Sequence, residues 1–243
     1  MTPATSRKVA VVTGGARRLG RHLSLSLAAR GYDVVIVYRS SGAAAQEVER
    51  EITSRGGRAR ALELDVSDKQ AVAAAFAGIA DAEGRVDLLV NNVGNYNPQD
   101  VTALDPDVWD DTIAANLSGA YYCCYRALAL MPDGGSIVNI GMAGLEGVRA
   151  NRRGADYFVS KSGLLVLTRA LAAGYASRQI RVNMVSPGQL DNSVDLPPPE
   201  EIHHWVPLGR SGTLEDIAQA VHYLLDAPYV TGVNLDVAGG YRL

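Results

Sequence analysis

The chain has 243 residues, 47% of them apolar and 20% charged, with a formal net charge of −3. This is globular composition, long enough for one large α/β domain or two small ones. With no basic block beyond "RR" at 17–18 and 152–153, it carries no electrostatic footprint for nucleic acid or a membrane surface.

The opening stretch "MTPATSRKVAVVTGG" lacks an apolar run long enough for a signal peptide or a membrane span, so a soluble cytoplasmic protein is expected. "KVAVVTG" (8–14) is the continuous β-branched run of a strand buried on both faces. Leu19, Leu23 and Leu27 carry a helical period over 17–30, which stops at Gly31, a suitable C′ residue. "DVVIVY" (33–38) predicts the second strand, and 43–55 a helix ended by Gly56-Gly57. "ARALELDV" (59–66) predicts the third strand and 68–82 the third helix. "VDLLVNNVG" (86–94) predicts a fourth strand running into a polar loop. Asp105-Pro106 has the form of an N-cap and N1 pair, opening a helix that runs to about Leu130.

Cys123 and Cys124, the only cysteines, lie in that helix. Sequence neighbours rarely bridge, which suits a reducing compartment, and no spaced Cys/His set supplies a metal site. "GSIVNIG" (135–141), "QIRVNMVS" (179–186) and "GVNLDV" (232–237) predict the remaining strands, with helices at 155–176 and 213–226 between them. Thr213 and Asp216 have the spacing of a capping box, with Asp in the usual Glu/Gln place. Strands alternating with helices imply a single doubly wound α/β domain, a parallel sheet of about seven strands with helices on both faces. The Pro-rich "DLPPPEE" (195–201) reads as part of a surface loop or lid.

"VVTGGARRLGRH" follows the first strand and opens the first helix. In that context Gly14 permits a tight turn, Gly20 permits close packing, and the helix N-terminus offers free N–H groups to a pyrophosphate. The spacing is not G-x-G-x-x-G, so a turn using glycine for geometry alone remains open. At the end of the second strand stand Tyr38-Arg39-Ser40-Ser41, with no acid to repel a 2′-phosphate. A guanidinium suits phosphate, which favours NADP(H) over the alternative of a solvated surface charge.

Together these residues resemble the short-chain dehydrogenase/reductases over nearly the whole chain. "TGGARRLG" (13–20) resembles T-G-x-x-x-G-x-G, with Arg18 at the middle glycine, a substitution similar to pteridine reductases. "NNVG" (91–94) resembles N-N-A-G, Tyr157 and Lys161 match Y-x-x-x-K, and "SPG" (186–188) matches the turn beside the nicotinamide. The general pattern also resembles 3-oxoacyl-carrier-protein reductases. The resemblance implies a Rossmann fold and a homo-oligomer, a tetramer or dimer, joined through helices 107–130 and 155–176. For NADP(H) it implies a site made from Gly14, Arg17, Arg18, Leu19 and Gly20. To these it adds Tyr38, Arg39, Ser40, Asp65 and Val66 on the adenosine side, and Asn92, Gly94, Pro187 and Gly188 toward the nicotinamide. It further implies that Asn116 anchors a water that passes protons onward.

Four-residue spacing puts Tyr157 and Lys161 on one helix face. A free phenol, with a pKa of about 10, exchanges protons poorly at neutral pH; a nearby ammonium favours phenolate and brings it toward working range. The family's substrate-polarising serine is replaced by Met142, which donates no hydrogen bond. Three explanations stay open: Asn95 or Tyr96 polarises instead, the substrate is an imine or pteridine-like ring needing less help, or activity is lost. Arg149, Arg152 and Arg153 form either an anion-binding lip or a solvated loop. Residues 189–206 form a substrate lid, in which Trp205 either stacks on ligand or packs in the core, while His203 and His204 lie on its polar surface. Arg18, Asn95, Tyr96, Met142 and Trp205 are therefore the candidate contacts for a small-molecule substrate. A cofactor-binding module without turnover is the competing expectation.

Overall fold

A strand with no polar face needs cover on both sides, and β1 (Val9–Thr13) has it: all five of its residues are buried. The computed structural model describes residues 7–147, 151–194 and 196–242. After β1 come α1 (Arg18–Ala29), β2 (Asp33–Tyr38), α2 (Gly42–Ser54), β3 (Ala59–Glu63), α3 (Lys69–Glu83) and β4 (Leu88–Asn91). Then follow α4 (Pro106–Ile113), a π-helical segment (Ala114–Ser118), α5 (Gly119–Leu130), β5 (Ser136–Ile140) and α6 (Ala155–Gly174). The chain ends with β6 (Arg181–Pro187), the short α7 (Ile202–Trp205), α8 (Leu214–Asp226) and β7 (Asn234–Val237).

Among the described residues, seven strands form one sheet in the order β3-β2-β1-β4-β5-β6-β7. Every neighbouring pair is parallel. Side chains alternate between two apolar layers, as the two-residue period requires. Ala10, Val12, Val34 and Ile36 pack with α1, α2 and α8, whereas Val9, Val11, Val35 and Val37 pack with α3 and α5. Strand order reverses between β1 and β4, so the loops leaving their C-terminal ends diverge and open a crevice there. No helix among the described residues is long and apolar enough to cross a membrane.

Local chemistry sets the helix ends. Gly31 follows α1 with φ +87°, the left-handed C′ position expected of it. The Asp105 carboxylate accepts from the Asp107 N–H, with Pro106 at N1. Thr213 and Asp216 form the reciprocal capping box. Three expectations are corrected. The helix expected from 106 to 130 is interrupted by the π-helical segment, an insertion that apolar periodicity does not encode. The fourth strand is shorter than 86–94, because the Asn92 N–H leaves the ladder for the Thr13 hydroxyl. The third ends at Glu63, so Asp65 and Val66 lie in the following turn, where Asp65 accepts from the Ser67 N–H.

Candidate active site

The crevice above β1 and β4 is floored by glycine. Gly14 turns the chain with φ +63°, and a Cβ at Gly20 would lie 2.0 Å from the Gly14 carbonyl oxygen, so α1 can start there only with glycine at position 20. The N-terminus of α1 has no side-chain cap and no acid in its first turn. Its N–H groups and positive dipole end are open to an anion. Arg18 holds an uncommon left-handed backbone for a non-glycine residue, φ +47°, and its guanidinium donates to the Asn192 carbonyl oxygen at 3.2 Å. The Asn92 amide donates to the carbonyl oxygens of Thr13 and Gly14, tying the end of β4 to the glycine turn. Beneath it, Asn91 donates to Asn139, which donates to Thr168, a buried polar chain that fixes the sheet against α6.

Three adjoining hollows make one trough across this crevice. The first is walled by Arg17, Tyr38, Arg39, Ser40, Asp65 and Val66. Arg39 is exposed and lies 3.7 Å from the Asp65 carboxylate. Burial works against ionisation of Asp65, but hydrogen bonds from Ser67 and the charge of Arg39 outweigh it and hold the carboxyl below its ordinary range. The second hollow runs past Gly14, Arg18, Leu19, Gly20, Asn92 and Gly94. The third has a volume of about 270 Å³ and is lined in part by Tyr96, Met142, Tyr157, Lys161, Pro187 and Gly188. The residues expected to hold a dinucleotide thus line one continuous channel. The uncapped helix end and the glycine floor fit a pyrophosphate, and the basic, hydroxyl-bearing end of β2 fits an added phosphate.

In the third hollow Tyr157 sits in the first turn of α6, its ring meeting that of Tyr96 edge-on at 4.9 Å. Lys161, one turn further, is buried and places its Nζ 5.7 Å from the Tyr157 ring centroid. That Nζ donates to the Ile140 carbonyl oxygen at 2.8 Å, and desolvation brings its pKa down to about 8. Gly94 makes room for it: a Cβ there would stand 3.2 Å from Nζ.

Asn116 lies in the π-helical segment, buried directly behind the Gly94–Asn95 stretch that lines the trough. Its Nδ2 donates to the Asn95 carbonyl oxygen and to the Ser160 hydroxyl, and its Oδ1 accepts from the Asn95 N–H at 2.7 Å. Ser160, which the sequence did not single out, donates in turn to the Tyr157 carbonyl oxygen at 2.8 Å. Its partner on Asn116 is remote in sequence, so no spacing rule reveals it. The arrangement clamps the loop after β4 onto the turn that carries Tyr157.

Several expectations at the substrate end are revised. Asn95 faces the first two hollows and not the third, so of the two proposed stand-ins for the serine only Tyr96 shares the cleft with Tyr157. Trp205 neither covers the cleft nor packs in the core; it is 53% exposed on α7. Arg152 pairs with Asp100 at 3.0 Å and Arg153 donates to the Pro98 carbonyl oxygen, so both fasten loops to each other and do not line the cleft. Arg149 lies outside the described residues. His203 and His204 are exposed, away from the cleft. Met142 does line it and packs beside Leu145, Leu164 and Met184. Gln189, at the start of the expected lid, also lines the cleft, as do Phe158, Tyr241 and Arg242, which sequence reasoning missed.

The chain is similar to known proteins over nearly its whole length. The family model described as enoyl-(acyl carrier protein) reductase matches residues 14–242. The uncharacterized oxidoreductase YgfF of Escherichia coli is 36% identical, over 96% of this chain and 99% of its own. The 3-oxoacyl-[acyl-carrier-protein] reductase FabG of Staphylococcus aureus is 34% identical, over 96% and 97%. The crystal structure of a blue fluorescent protein from a metagenomic library, in complex with NADPH, superimposes with a TM-score of 0.91 at 35% identity, over 97% of this chain and 98% of that one.

Proposed function

The chain belongs to the short-chain dehydrogenase/reductase family, and from that premise we propose that it is an NADP(H)-dependent reductase of a small carbonyl, imine or pteridine-like compound. The observation that carries this reading is the Tyr157–Lys161 pair facing one cleft at the end of a trough suited to a dinucleotide. A reduced nicotinamide, when bound, supplies the hydride. Tyr157 supplies the accompanying proton from its hydroxyl to the substrate oxygen or nitrogen, so that C=O becomes CH–OH, or C=N becomes CH–NH. Lys161, a cation in a desolvated site, favours the phenolate that remains. Asn116 and Ser160 keep the Tyr157 turn in register with the loop after β4. Preference for NADP(H) is supported by Arg39, Ser40 and Ser41 at the end of β2 and by the NADPH complex of the structural relative. Exposed Tyr121, Tyr125, Val159 and Val166 on α5 and α6 support a homo-oligomer joined through those helices.

A ketoreductase for 3-oxoacyl thioesters is the second reading, favoured by the likeness to FabG. A nucleotide-holding module without turnover is the third, favoured by Met142 in place of a hydrogen-bond donor. The distinguishing experiment follows NADPH and NADH oxidation over ketones, cyclic imines, dihydropterins and a 3-oxoacyl thioester. Turnover with NADPH on any of them supports the reductase; NADPH binding with no turnover on the whole panel supports the module.

A further inference from the structure

Tyr241 and Arg242, from the segment after β7, line the cleft together with Lys161. Arg242 lines the same hollow as Tyr157 and Met142, with its guanidinium carbon 4.9 Å from the Phe158 ring centroid and 5.0 Å from that of Tyr241. Both distances lie within cation–π range. The seat is specific. Gly144 adopts φ +80°, and a Cβ there would stand 2.9 Å from both Cβ and Cδ of Arg242. Gly144 is itself held by its N–H on the Asp236 carboxylate at 3.0 Å. Among the described residues no carboxylate pairs with Arg242 and none lines this hollow, whose charged members among those residues are Lys161 and Arg242. A cation–π contact uses the guanidinium's charge and none of its N–H donors, which are left for an oxyanion.

A second observation lies in the same wall. Gln189, in the turn after Gly188, is 9% exposed, and its Oε1 is buried without a hydrogen-bond partner. A buried, unpaired amide oxygen is costly unless something in the cleft satisfies it. Arg242 and Gln189 line the same hollow as Tyr157, so a group held by them belongs to a molecule that also reaches the reacting atoms.

Resting on the reductase reading above, we propose that Arg242 is the substrate-anchoring residue and that the substrate is a compact carbonyl or imine compound bearing a carboxylate. Arg242 takes the carboxylate in a charge-assisted hydrogen bond, and Gln189 accepts from an N–H or O–H of the same molecule. The anchor is present in ground and transition states alike, so it acts mainly on KM. It also separates this site from one for acyl thioesters, which offer no carboxylate beside the reacting carbonyl.

The test compares pyruvate, acetoacetate and levulinate, each against its ethyl ester, as NADPH-dependent substrates of the full chain. The expected result is an acid-to-ester ratio of kcat/KM of at least tenfold for one pair in the native protein. In Arg242→Gln that ratio falls at least tenfold, chiefly through KM, and Arg242→Lys restores part of it. Equal use of acid and ester, or a ratio that Arg242→Gln leaves unmoved, overturns the anchor. Tyr157-dependent turnover of the esters alone, or of neither form while another compound of the wider panel is reduced, overturns the anchor and leaves the reductase standing; no turnover on the whole panel overturns both.

Discussion

The Nζ of Lys161 lies 2.8 Å from the carbonyl oxygen of Ile140, inside a site that leaves it almost no contact with solvent. Burial lowers its pKa from 10.5 to about 8. The unfolded chain therefore binds this proton more tightly than the folded one between those values. Below pH 8 the folded protein bears the full cost of the buried cation, and its stability rises as pH climbs from about 8 to 10.5. Lys161→Met removes that cost but leaves the Ile140 oxygen without its donor. Urea denaturation of the cofactor-free protein is expected to show the variant more stable at pH 7, by about 1–3 kcal/mol, with the gain shrinking by pH 10. Its reductase activity is expected to vanish. Equal or lower stability at pH 7 contradicts a desolvated ammonium here.

Met142 lines the cleft, and the family resemblance puts it where a serine would polarise a carbonyl. An electrostatic donor of this kind contributes about 2.7–4 kcal/mol to a transition state. Met142→Ser is expected to raise kcat/KM on ketones by ten- to a hundredfold, less than a native donor because the site is not shaped around it. Imines, whose nitrogen is more basic than a ketone oxygen and takes the Tyr157 proton more readily, gain little. No gain on ketones, with imines well reduced by the native protein, assigns the site to C=N substrates.

Arg39 is exposed and held only loosely, at 3.7 Å from Asp65. Such a surface pair is weak, so the guanidinium is free to turn to a phosphate. Arg39→Ala is expected to weaken NADPH binding by about ten- to a hundredfold, the value of one charge-assisted hydrogen bond, and NADH binding by less than threefold. Titration calorimetry with each nucleotide reads both numbers. A parallel loss for both assigns Arg39 to something other than the 2′-phosphate.

What the sequence disclosed was governed by local chemistry. The β1 run, the glycine turn, Gly31 and the Thr213–Asp216 box each declare themselves within a few residues, because strand burial, left-handed turns and caps are short-range. Tyr157 and Lys161 were legible as one face of one helix. The π-helical segment was not, since a single extra residue in a turn is decided by what packs on it. Nor was the Asn116–Ser160 bond, or the return of Arg242 to the cleft, for both join segments far apart in the chain. Asn95 was correctly placed after β4, yet which hollow it faces depends on Asn116 gripping its backbone.

The central claim is that the Tyr157 hydroxyl, beside Lys161, delivers the proton that accompanies hydride. Tyr157→Phe removes that single oxygen and leaves the ring's edge-on contact with Tyr96 in place. Parallel measurement of the NADPH Kd and of kcat on the best substrate of the panel tests it most directly. The account predicts a Kd within threefold of the native protein and a kcat lower by about 10²–10⁴, the range of a lost general acid. A Tyr157→Phe protein that turns over within tenfold of the native rate contradicts it.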